Sequence, residues 1–274
     1  DSIKCHLCGL FEKLAQDCSE CGGKVRGHGV GTQKVEQELK SFLPEARIAR
    51  MDSDSVGGKN KLLRLYERLE KGGIDVLIGT QMVAKGHDLQ GVTLVGVISA
   101  DVSLGMPDFR SGERTFQLVT QVAGRAGRGD EPGRVLVQTY NPELPSSTFA
   151  TAQDSRGFLE HEMKLREDLE YPPFSRLVNF RFSGRFDKEV QKVVIMCADR
   201  ARSMASKLPA GAVSILGPSP CPIAKIRNRF RYQMLIKSES PGVLHVMARK
   251  LLTKALGDPG NIRVTVDVDP YNFS

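Results

Sequence analysis

The sequence predicts an α/β protein built from two folded domains, and three observations support this. Short apolar runs alternate with helical patterns between residues 47 and 139, which is typical of a mostly parallel sheet with right-handed crossovers. The last hundred residues give the order β-α-β-β-α-β, which is the ferredoxin-like arrangement. A length of 274 residues is enough for two compact domains and an appendage.

The first domain is predicted to begin after the turn at residues 29–32, where Thr32 is placed to cap a helix that runs through Leu43. Residues 47–52 are predicted to be a strand, and residues 59–71 a helix with one apolar stripe. We expect further strands at 75–79, 92–100 and 134–139, and a helix at about 110–124. The strand at 75–79 matters most, because open α/β sheets bind ligands at the carboxyl ends of their strands.

A polar connection at 143–147 and a charged amphipathic helix at 158–169 follow, and the helix ends before two consecutive prolines, which cannot continue it. In the C-terminal part we expect strands at 177–183, 213–216, 229–237 and 262–267, and helices at 188–208 and 242–256. The predicted segments are a cysteine appendage (1–28), an α/β domain (29–150), a linker helix (151–175) and a C-terminal domain (176–274).

The composition is typical of a soluble globular protein. The charged fraction is 26% and the hydrophobic fraction 40%, both ordinary for a soluble protein. No apolar run approaches the roughly 20 residues that span a bilayer, and no secretory signal opens the sequence, so we expect a cytoplasmic protein.

The net charge of +7 is unevenly placed. Residues 171–274 carry 17 Lys and Arg against 7 Asp and Glu, whereas the rest of the chain has a small acidic excess. A basic surplus confined to one domain favours a polyanionic partner such as nucleic acid over a face that is merely solvated.

Four cysteines form a metal-binding pattern in which Cys5-x-x-Cys8 is followed after nine residues by Cys18-x-x-Cys21. Four thiolates match tetrahedral zinc, and the expected cytoplasmic setting disfavours the alternative of two disulfides. The chain alone offers one four-cysteine site. Cys197 and Cys221 lack metal spacing and are predicted to be buried small apolar residues.

Two arginines in the run Gln121-Val-Ala-Gly-Arg125-Ala-Gly-Arg128 are spaced to leave one face of a helical turn. Each follows a glycine, so a bound polyanion can approach the backbone closely. Arginine stays charged and holds phosphate with a planar fork. By itself the run is equally compatible with an ordinary basic turn.

The arginine run and a second stretch upstream of it together resemble two motifs of a known family. The stretch Ile78-Gly-Thr-Gln-Met-Val-Ala-Lys-Gly-His-Asp88 followed by Thr120-Gln-Val-Ala-Gly-Arg-Ala-Gly-Arg128 resembles motifs V and VI of superfamily 2 helicases. Five more runs are similar to the replication-restart helicases of bacteria: RMDSD (50–54), LVGVISAD (94–101), PDFRSGER (107–114), YPPFSR (171–176) and DVDP (267–270). The resemblance covers nearly the whole chain.

The resemblance implies roles for individual residues. Residues 29–150 would be the second RecA-like lobe of the motor, with Arg128 as the arginine finger, Arg125 as its phosphate-sensing neighbour, and Gln121 coupling the nucleotide and DNA sites. Nucleotide contacts are expected from Gly86, Asp88 and Gly124, although Asp88 suits three roles: ordering its loop, accepting from an arginine or contacting the ribose. DNA contacts are expected from Thr32, Thr80 and Lys85.

The same resemblance shows what the sequence lacks. No P-loop of the form G-x-x-x-x-G-K-[ST] occurs, so we expect the chain to be the C-terminal portion of a larger protein and inactive alone as an ATPase. ATP and Mg²⁺ would bind only with the missing lobe. The family also has eight cysteines that bind two zinc ions in an interleaved way, so the four cysteines here are either one site or halves of two.

The second functional cluster is the run from Lys225 to Gln233, which interleaves cations with Phe230 and Tyr232 and contains no acid. Alternation along a strand places Arg229, Arg231 and Gln233 on one face and both aromatics on the other, where they either form core or meet a partner. Predicted DNA-binding residues here are Lys225, Arg227, Arg229 and Arg231. The resemblance adds that Arg229 and Gln233 bind the acidic C-terminal tip of single-stranded DNA-binding protein.

Three functions are consistent with these patterns to different degrees. The first is an ATP-dependent 3′–5′ DNA helicase that recognises stalled or repaired forks and restarts replication by assembling the primosome. The second is a non-catalytic DNA- and protein-binding scaffold for other primosome proteins. A zinc-ribbon RNA-binding protein is the third, and the residue sequence of the stretches that resemble motifs V and VI disfavours it.

Overall fold

The computed structural model describes residues 2–4, 11–13, 17, 31–52, 59–80, 83, 91–104, 108–127, 132–255 and 261–273. It divides into two compact units. We call residues 27–106 and 110–161 the central unit, and residues 1–26, 107–109 and 162–274 the C-terminal unit. Within the described ranges, no helix is long and apolar enough to cross a membrane.

The central unit alternates strands with helices, as the sequence predicts. Strands β3 (Ile48–Met51) and β4 (Val76–Gly79) pair in parallel, and so do β5 (Leu94–Val97) and β6 (Arg134–Val137). The helices are α1 (Thr32–Phe42), α2 (Lys59–Glu70), the short α3 (Asp101–Leu104) and α4 (Ser111–Ala123). The strands are shorter than predicted at their ends, where alternation gives way to turn residues. The α/β class is confirmed.

The described core of the central unit lies around α4, which buries Thr115, Phe116 and Val119. Phe116 stacks on Phe158 with ring centroids 4.1 Å apart. Ala150 completes this cluster from α5 (Pro145–Thr151), so the prediction of a plain connection at 143–147 was wrong. Pro145 opens this helix at the one position where its missing N–H costs nothing. The charged helix α6 (Ser155–Asp168) follows.

The C-terminal unit contains β7 (Arg176–Gly184), α7 (Asp187–Ala205), β8 (Ser214–Ile226), β9 (Arg229–Ser238), α8 (Pro241–Lys250) with a π-helical turn (Leu251–Ala255), and β10 (Arg263–Val268). These four strands form an antiparallel sheet in the order β10-β7-β9-β8. Even-numbered residues of the central strands, such as Phe180, Phe182, Met234 and Ile236, pack against the helices in one apolar cluster. The unit also holds the hairpin of β1 (Ser2–Lys4) and β2 (Phe11–Lys13).

Strand β8 is three times longer than the predicted strand at 213–216. Its pairing with β9 is interrupted between Leu216 and Ser219 and again between Pro220 and Lys225. Three prolines at 218, 220 and 222 remove N–H donors from this stretch, which hides its strand character in the sequence and breaks the ladder in the structure.

Candidate functional site

The arginine motif begins on the last turn of α4 and continues into a tight turn. Gln121 is exposed there, and Arg125 is half-buried with its backbone N–H donated to the Val122 carbonyl over 3.0 Å. Gly124 ends the helix. The sequence predicts a helical turn that places Arg125 and Arg128 on one face, but the helix ends before both arginines and Gly127 between them is in the left-handed region, so the helical geometry does not continue through residue 127. Arg128 lies outside the described residues.

The two glycines of this motif differ in whether the backbone around them would accept a side chain. Gly127 has a φ of 75°, in the left-handed region, and donates its N–H to the Val92 carbonyl. A Cβ at Gly127 would lie 2.8 Å from the Gly133 nitrogen, whereas a Cβ at Gly124 would meet nothing closer than 3.6 Å. Only Gly127 is therefore restricted to glycine by backbone conformation and crowding.

The second predicted element is the end of β4. A Cβ on Gly79 would lie 2.5 Å from the Met51 carbonyl oxygen of the neighbouring strand. Glycine is required there because the two strands approach closely. Thr80 follows as an exposed residue whose carbonyl accepts from the Val83 N–H over 3.0 Å. Lys85, Gly86 and Asp88 lie outside the described residues.

Thr32 does not have the capping role that the sequence predicts. It is the first residue of α1, and Gly31 is the N-cap and provides no side-chain cap. The Thr32 hydroxyl instead donates to a carboxylate oxygen of Asp52 over 2.6 Å. Arg50 holds the same carboxylate, with its Nε 3.0 Å from Oδ2. A buried acid just after β3 therefore fixes the start of α1.

Asp101 is a buried acid that the sequence analysis missed. It follows β5 and accepts from the Thr139 hydroxyl at 2.8 Å and from the Tyr140 N–H at 2.9 Å, both just beyond β6. Burial raises the pKa of the Asp101 carboxyl, but these donors outweigh burial and hold the pKa below its ordinary value. An acid directly after the apolar run 94–100 was the signal available in the sequence.

The cationic cluster of the C-terminal unit lies on the β8–β9 hairpin. Arg227 and Asn228 form its two-residue turn with φ values of 48° and 57°. Lys225 lies in β8, outside the strands that the sequence predicts at 213–216 and 229–237, and its Nζ is 4.5 Å from the Phe230 ring centroid. Within the described part of the chain, none of the four predicted DNA-binding cations forms an ion pair.

Backbone carbonyls hold two of these guanidinium groups. Arg229 donates to the Ser183 carbonyl at 2.9 Å and to the Asn261 carbonyl at 3.4 Å. Arg231 donates to the Ile223 carbonyl at 3.4 Å. Because a carbonyl neutralises none of the positive charge, both groups stay available to an anion.

The predicted face alternation along β9 is present. Tyr232 packs against the apolar core and donates its hydroxyl to Asp187 over 2.8 Å. Burial, followed by the nearby Asp187 carboxylate, raises the pKa of the Tyr232 hydroxyl. Gln233 lies on the opposite face and is buried, and its Oε1 has no hydrogen-bond partner.

Further residues of this second face come from the neighbouring strands. Arg181 of β7 lies opposite Gln233 and forms an ion pair with Asp267 at 3.2 Å. Arg263 of β10 lies opposite Ser183 and is exposed. Asn179 is fully buried, and neither of its amide atoms has a partner. Alternation in the sequence of β7, which places polar residues at 179, 181 and 183, was the signal that could have found this face.

The four cysteines that are predicted to bind zinc are not among the residues that the structure describes. Cys5, Cys8, Cys18 and Cys21 all lie outside the described residues. In the ranges that the structure does describe, no group of three or more His, Cys, Asp or Glu side chains is placed to hold a metal. Cys197 and Cys221 are free and buried, as predicted.

Models of two known domain families match this chain. The model of the helicase conserved C-terminal domain matches residues 22–130, and that of the primosomal protein N C-terminal domain matches residues 167–271. The replication restart protein PriA of Bacillus subtilis is 42% identical over 98% of this chain. The PriA proteins of Synechocystis and Haemophilus influenzae are 39% and 35% identical over 99% of it.

The chain is a PriA homologue. It corresponds to the C-terminal portion of PriA and covers 33%, 32% and 37% of the length of these three relatives. The helicase match includes Gly79, Thr80 and the arginine motif, and the PriA-specific match includes the whole antiparallel sheet. Among solved structures, the de novo designed protein Foldit4 covers 35% of this chain at 13% identity and a TM-score of 0.26, which is too low to support a conclusion about the fold.

Proposed function

We propose that this chain is the C-terminal portion of an ATP-dependent 3′–5′ DNA helicase that recognises stalled or repaired replication forks and restarts replication by primosome assembly. The observation that carries the proposal is the arginine motif, which begins on the last turn of α4 within the residues matched by the helicase C-terminal domain. The relatives bear the printed name replication restart protein. In this proposal the central unit is the second RecA-like lobe, and the antiparallel sheet is of the ferredoxin-like class.

Within that function, the residues of this chain supply one wall of the nucleotide site. ATP and Mg²⁺ would be held by a P-loop on another lobe, and Arg125 and Arg128 would face the γ-phosphate from the end of α4. A guanidinium placed there neutralises the charge that develops during phosphoryl transfer. Gly86, Asp88 and Gly124 would contact the nucleotide, and Gln121 would couple it to DNA bound near Thr32, Thr80 and Lys85.

The ATPase test needs the chain joined to a P-loop lobe of its family. We expect Arg128→Ala to lower DNA-stimulated ATP hydrolysis on the order of 10³-fold or more, because an arginine finger contributes that much. Arg156→Ala is the matched control, since Arg156 lies on α6 with 90% of its side chain exposed. An Arg128 variant that hydrolyses ATP at the normal rate would instead indicate a non-catalytic scaffold. The 274-residue chain alone should hydrolyse no ATP.

We also propose that the second face of the C-terminal sheet, which carries Arg229 and Arg231, and its hairpin bind DNA phosphates. The support is a set of cations that form no ion pair with the residues that the structure describes, comprising Lys225, Arg227, Arg229 and Arg231. Phosphate contacts release counterions, so affinity for an oligonucleotide should fall steeply with salt. Arg231→Ala should weaken binding about equally for all sequences and reduce the salt slope by about 1, whereas Arg176→Ala, which removes a cation already paired with Asp269, should change it less.

Part of this face is proposed to bind the acidic C-terminal tip of single-stranded DNA-binding protein through Arg229 and Gln233. In the described part of the chain Arg229 donates to backbone carbonyls and the Ser183 hydroxyl and to no carboxylate, and the Gln233 side chain is buried with an unpartnered oxygen, so both can serve a polar ligand. Fluorescence anisotropy with a labelled tip peptide tests this. Arg229→Ala should abolish binding and Arg176→Ala should preserve it. Equal affinities for the two variants would exclude Arg229 from the pocket.

Zinc is the remaining proposed cofactor. Two Cys-x-x-Cys pairs provide four thiolates, the donor set that zinc prefers. Metal analysis of the purified chain should give one zinc ion per molecule if the four cysteines close one site, and Cys18→Ser should lower that ratio. A ratio near zero in the unmodified chain would indicate that these cysteines are halves of two sites. We place the intact protein in the cytoplasm with its DNA substrate.

A further inference from the structure

The outward side of α7 in the C-terminal unit carries a groove that we call the α7 groove. It has a volume of about 720 Å³, and all of its described lining residues belong to α7, from Lys188 to Ser203. This span is about 24 Å, from the rise per residue of an α-helix. The other side of α7 packs against the sheet through buried residues such as Val190, Val194 and Ala198. The α7 groove is therefore a surface feature of a helix whose core side is already occupied.

Two rows of side chains form the walls of the α7 groove, and the members of each row are four residues apart. One wall consists of Lys188, Lys192, Met196 and Arg200, and the other consists of Gln191, Ile195, Asp199 and Ser203. Rows with this spacing are the ridges of an α-helix surface, and the groove between two such ridges accepts a ridge of a second helix. The shape of this surface therefore fits a helical partner.

The middle of the α7 groove is apolar. Ile195 is 49% exposed, and Met196 on the opposite wall is half-buried. Burying an isoleucine against a partner is favourable, and the flexible thioether of methionine adapts its shape to the surface that it meets. An apolar centre with polar residues around it is typical of a protein–protein contact, whereas contacts with DNA phosphates are made by polar and charged groups.

Cations lie towards both ends of the α7 groove. Lys188 and Lys192 lie at one end and Arg200 near the other, and none of the three forms an ion pair with the residues that the structure describes. Asp199 is the one acid among the described lining residues, and it is already paired with Arg202 at 3.0 Å. Lys188 and Lys192 are four residues apart, a spacing at which like charges on a helix repel each other. Acidic groups on a partner would offset this repulsion.

The α7 groove and the surface proposed to bind DNA lie on opposite sides of the C-terminal sheet. The helices pack on the face that carries Phe180 and Met234, whereas Arg229 and Arg231 point to the other face. A ligand in the α7 groove therefore leaves these arginines uncovered, so the two surfaces can be occupied at the same time.

We propose that the α7 groove is a docking site for an acidic amphipathic helix of a partner protein. Apolar side chains of that helix pack on Ile195 and Met196, and its Asp and Glu residues pair with Lys188, Lys192 and Arg200. This inference goes beyond the proposed function, because it requires neither ATP hydrolysis nor the pocket proposed for the tip of single-stranded DNA-binding protein.

A synthetic peptide tests the docking site on the 274-residue chain. The probe is a labelled peptide of about 18 residues with leucine on one helical face and glutamate on the other, and its control has lysine in place of glutamate. The acidic peptide should bind, slow hydrogen exchange of the α7 amides, and bind more weakly as salt is added. The basic peptide should bind about tenfold more weakly or worse, because its charges repel those of the groove.

Substitutions in α7 should change this binding in a defined way. Ile195→Glu should weaken binding of the acidic peptide about tenfold or more, because the apolar centre is replaced by a like charge. Val246→Glu is the matched control, since Val246 is an aliphatic residue of α8 that is 53% exposed. Lys188→Glu combined with Lys192→Glu should weaken the acidic peptide and strengthen the basic one, and Lys250→Glu on α8 should do neither. Circular dichroism checks folding, and Ile195→Ala replaces Ile195→Glu if the latter unfolds.

Two alternatives give different results. If the acidic peptide occupies the pocket proposed for the acidic tip, Arg229→Ala should abolish its binding and Ile195→Glu should not change it. If α7 binds DNA, the Lys188 and Lys192 variant should lose as much affinity for a single-stranded oligonucleotide as Arg231→Ala does. Either result would overturn the inference, and so would equal binding of the acidic and basic peptides or unchanged exchange in α7 with the acidic peptide present.

Discussion

The two units bury different kinds of side chain at their key positions. In the C-terminal unit, Phe180, Phe182, Met234 and Ile236 are completely buried in a cluster of fourteen apolar residues between the sheet and its helices. In the central unit, the described apolar cluster around α4 has four buried members. Buried carboxylates mark the strand ends of the central unit, where Asp52 and Asp101 accept hydrogen bonds from neighbouring segments.

This difference indicates that the two units respond to different perturbations. An apolar cluster loses stability when a methylene group is removed, and it has no acidic titration. A buried carboxylate fixes the geometry of a turn and loses that role when it is protonated. Among the described residues, the unit that we propose to hold the chemistry has buried carboxylates at its strand ends, and the unit proposed to bind DNA and partners has the larger apolar cluster.

The largest expected effect is Phe180→Ala in the C-terminal sheet. Deleting a fully buried phenylalanine costs about 3–5 kcal/mol of unfolding free energy, because the transfer free energy is lost and a cavity remains. Phe116→Ala in the central unit should cost less, since its cluster is smaller and Phe116 stacks mainly on Phe158. Denaturant unfolding followed by hydrogen exchange in peptides of each unit measures both values, because the chain has no tryptophan to report either. Equal losses would show that Phe116 contributes as much packing free energy to its unit as Phe180 does.

Next in size is Asp101→Asn. The carboxylate accepts from Thr139, Tyr140 and Asn141, and hydrogen bonds to a charged group contribute about 2 kcal/mol, so the substitution should destabilise the end of β6 by about that amount. Exchange of amides 139–141 should rise. Glu113→Gln, which changes an acid in the first turn of α4, serves as the control.

The same residue gives the central unit an acid dependence. Because the pKa of Asp101 is lower in the folded state, its contribution is fully present above the unfolded value of about 3.9 and is lost as pH falls below it. Unfolding of the unmodified chain should therefore become easier below about pH 4, and Asp101→Asn should remove part of that dependence. Parallel pH curves for the two proteins would show that Asp101 does not titrate with folding.

A smaller effect is expected at the arginine motif, where the glycines form a matched pair. Gly127→Ala forces an L-residue into the left-handed region and brings its Cβ to 2.8 Å from the Gly133 nitrogen, so we expect a loss of at least about 1 kcal/mol. Gly124→Ala should be nearly neutral because its φ is −67° and its Cβ has room. Thermal unfolding by circular dichroism separates them. A neutral Gly127→Ala would mean that the turn can adopt another conformation.

How much the sequence predicts also differs between the units. Period-two alternation placed β7 and β9 within one residue of their observed limits, because each strand has one face on a core. The length of strand β8 was underestimated, because its prolines are typical of a loop. In the central unit the strands were found but extended too far, because an apolar run does not show where pairing ends.

Candidate site residues could be proposed from the sequence where a local pattern of residues is specific. The glycine and arginine spacing of residues 121–128 and the cations of 225–231 were found from the sequence. The Thr32–Asp52 hydrogen bond and the Phe109–Tyr171 stack were not found, because each joins residues that only the fold brings together, 20 and 62 positions apart. No local pattern distinguishes an aromatic residue that stacks on a distant one from an aromatic residue that is merely buried.

The smallest expected effect is the loss of the Tyr232 hydroxyl, which belongs to a hydrogen-bond network beside the C-terminal core. Tyr232 donates to Asp187 at 2.8 Å and accepts from Gln191 at 2.7 Å. Tyr232→Phe should cost about 1 kcal/mol, the usual net contribution of such a hydrogen bond. Tyr271→Phe, at an exposed site, should change unfolding by less than about 0.5 kcal/mol.

Burial and the Asp187 carboxylate raise the pKa of Tyr232 in the folded state, so its contribution is fully present below the unfolded value of about 10 and is lost as pH rises through the folded value. Burial likewise raises the pKa of the Cys197 thiol to about 11. The C-terminal unit should therefore lose stability at alkaline pH. Peptide-resolved exchange between pH 9 and 11 tests this, and Tyr232→Phe should flatten the decline there. A decline confined to the central unit in that range would show that the buried tyrosine and thiol do not govern the alkaline limit.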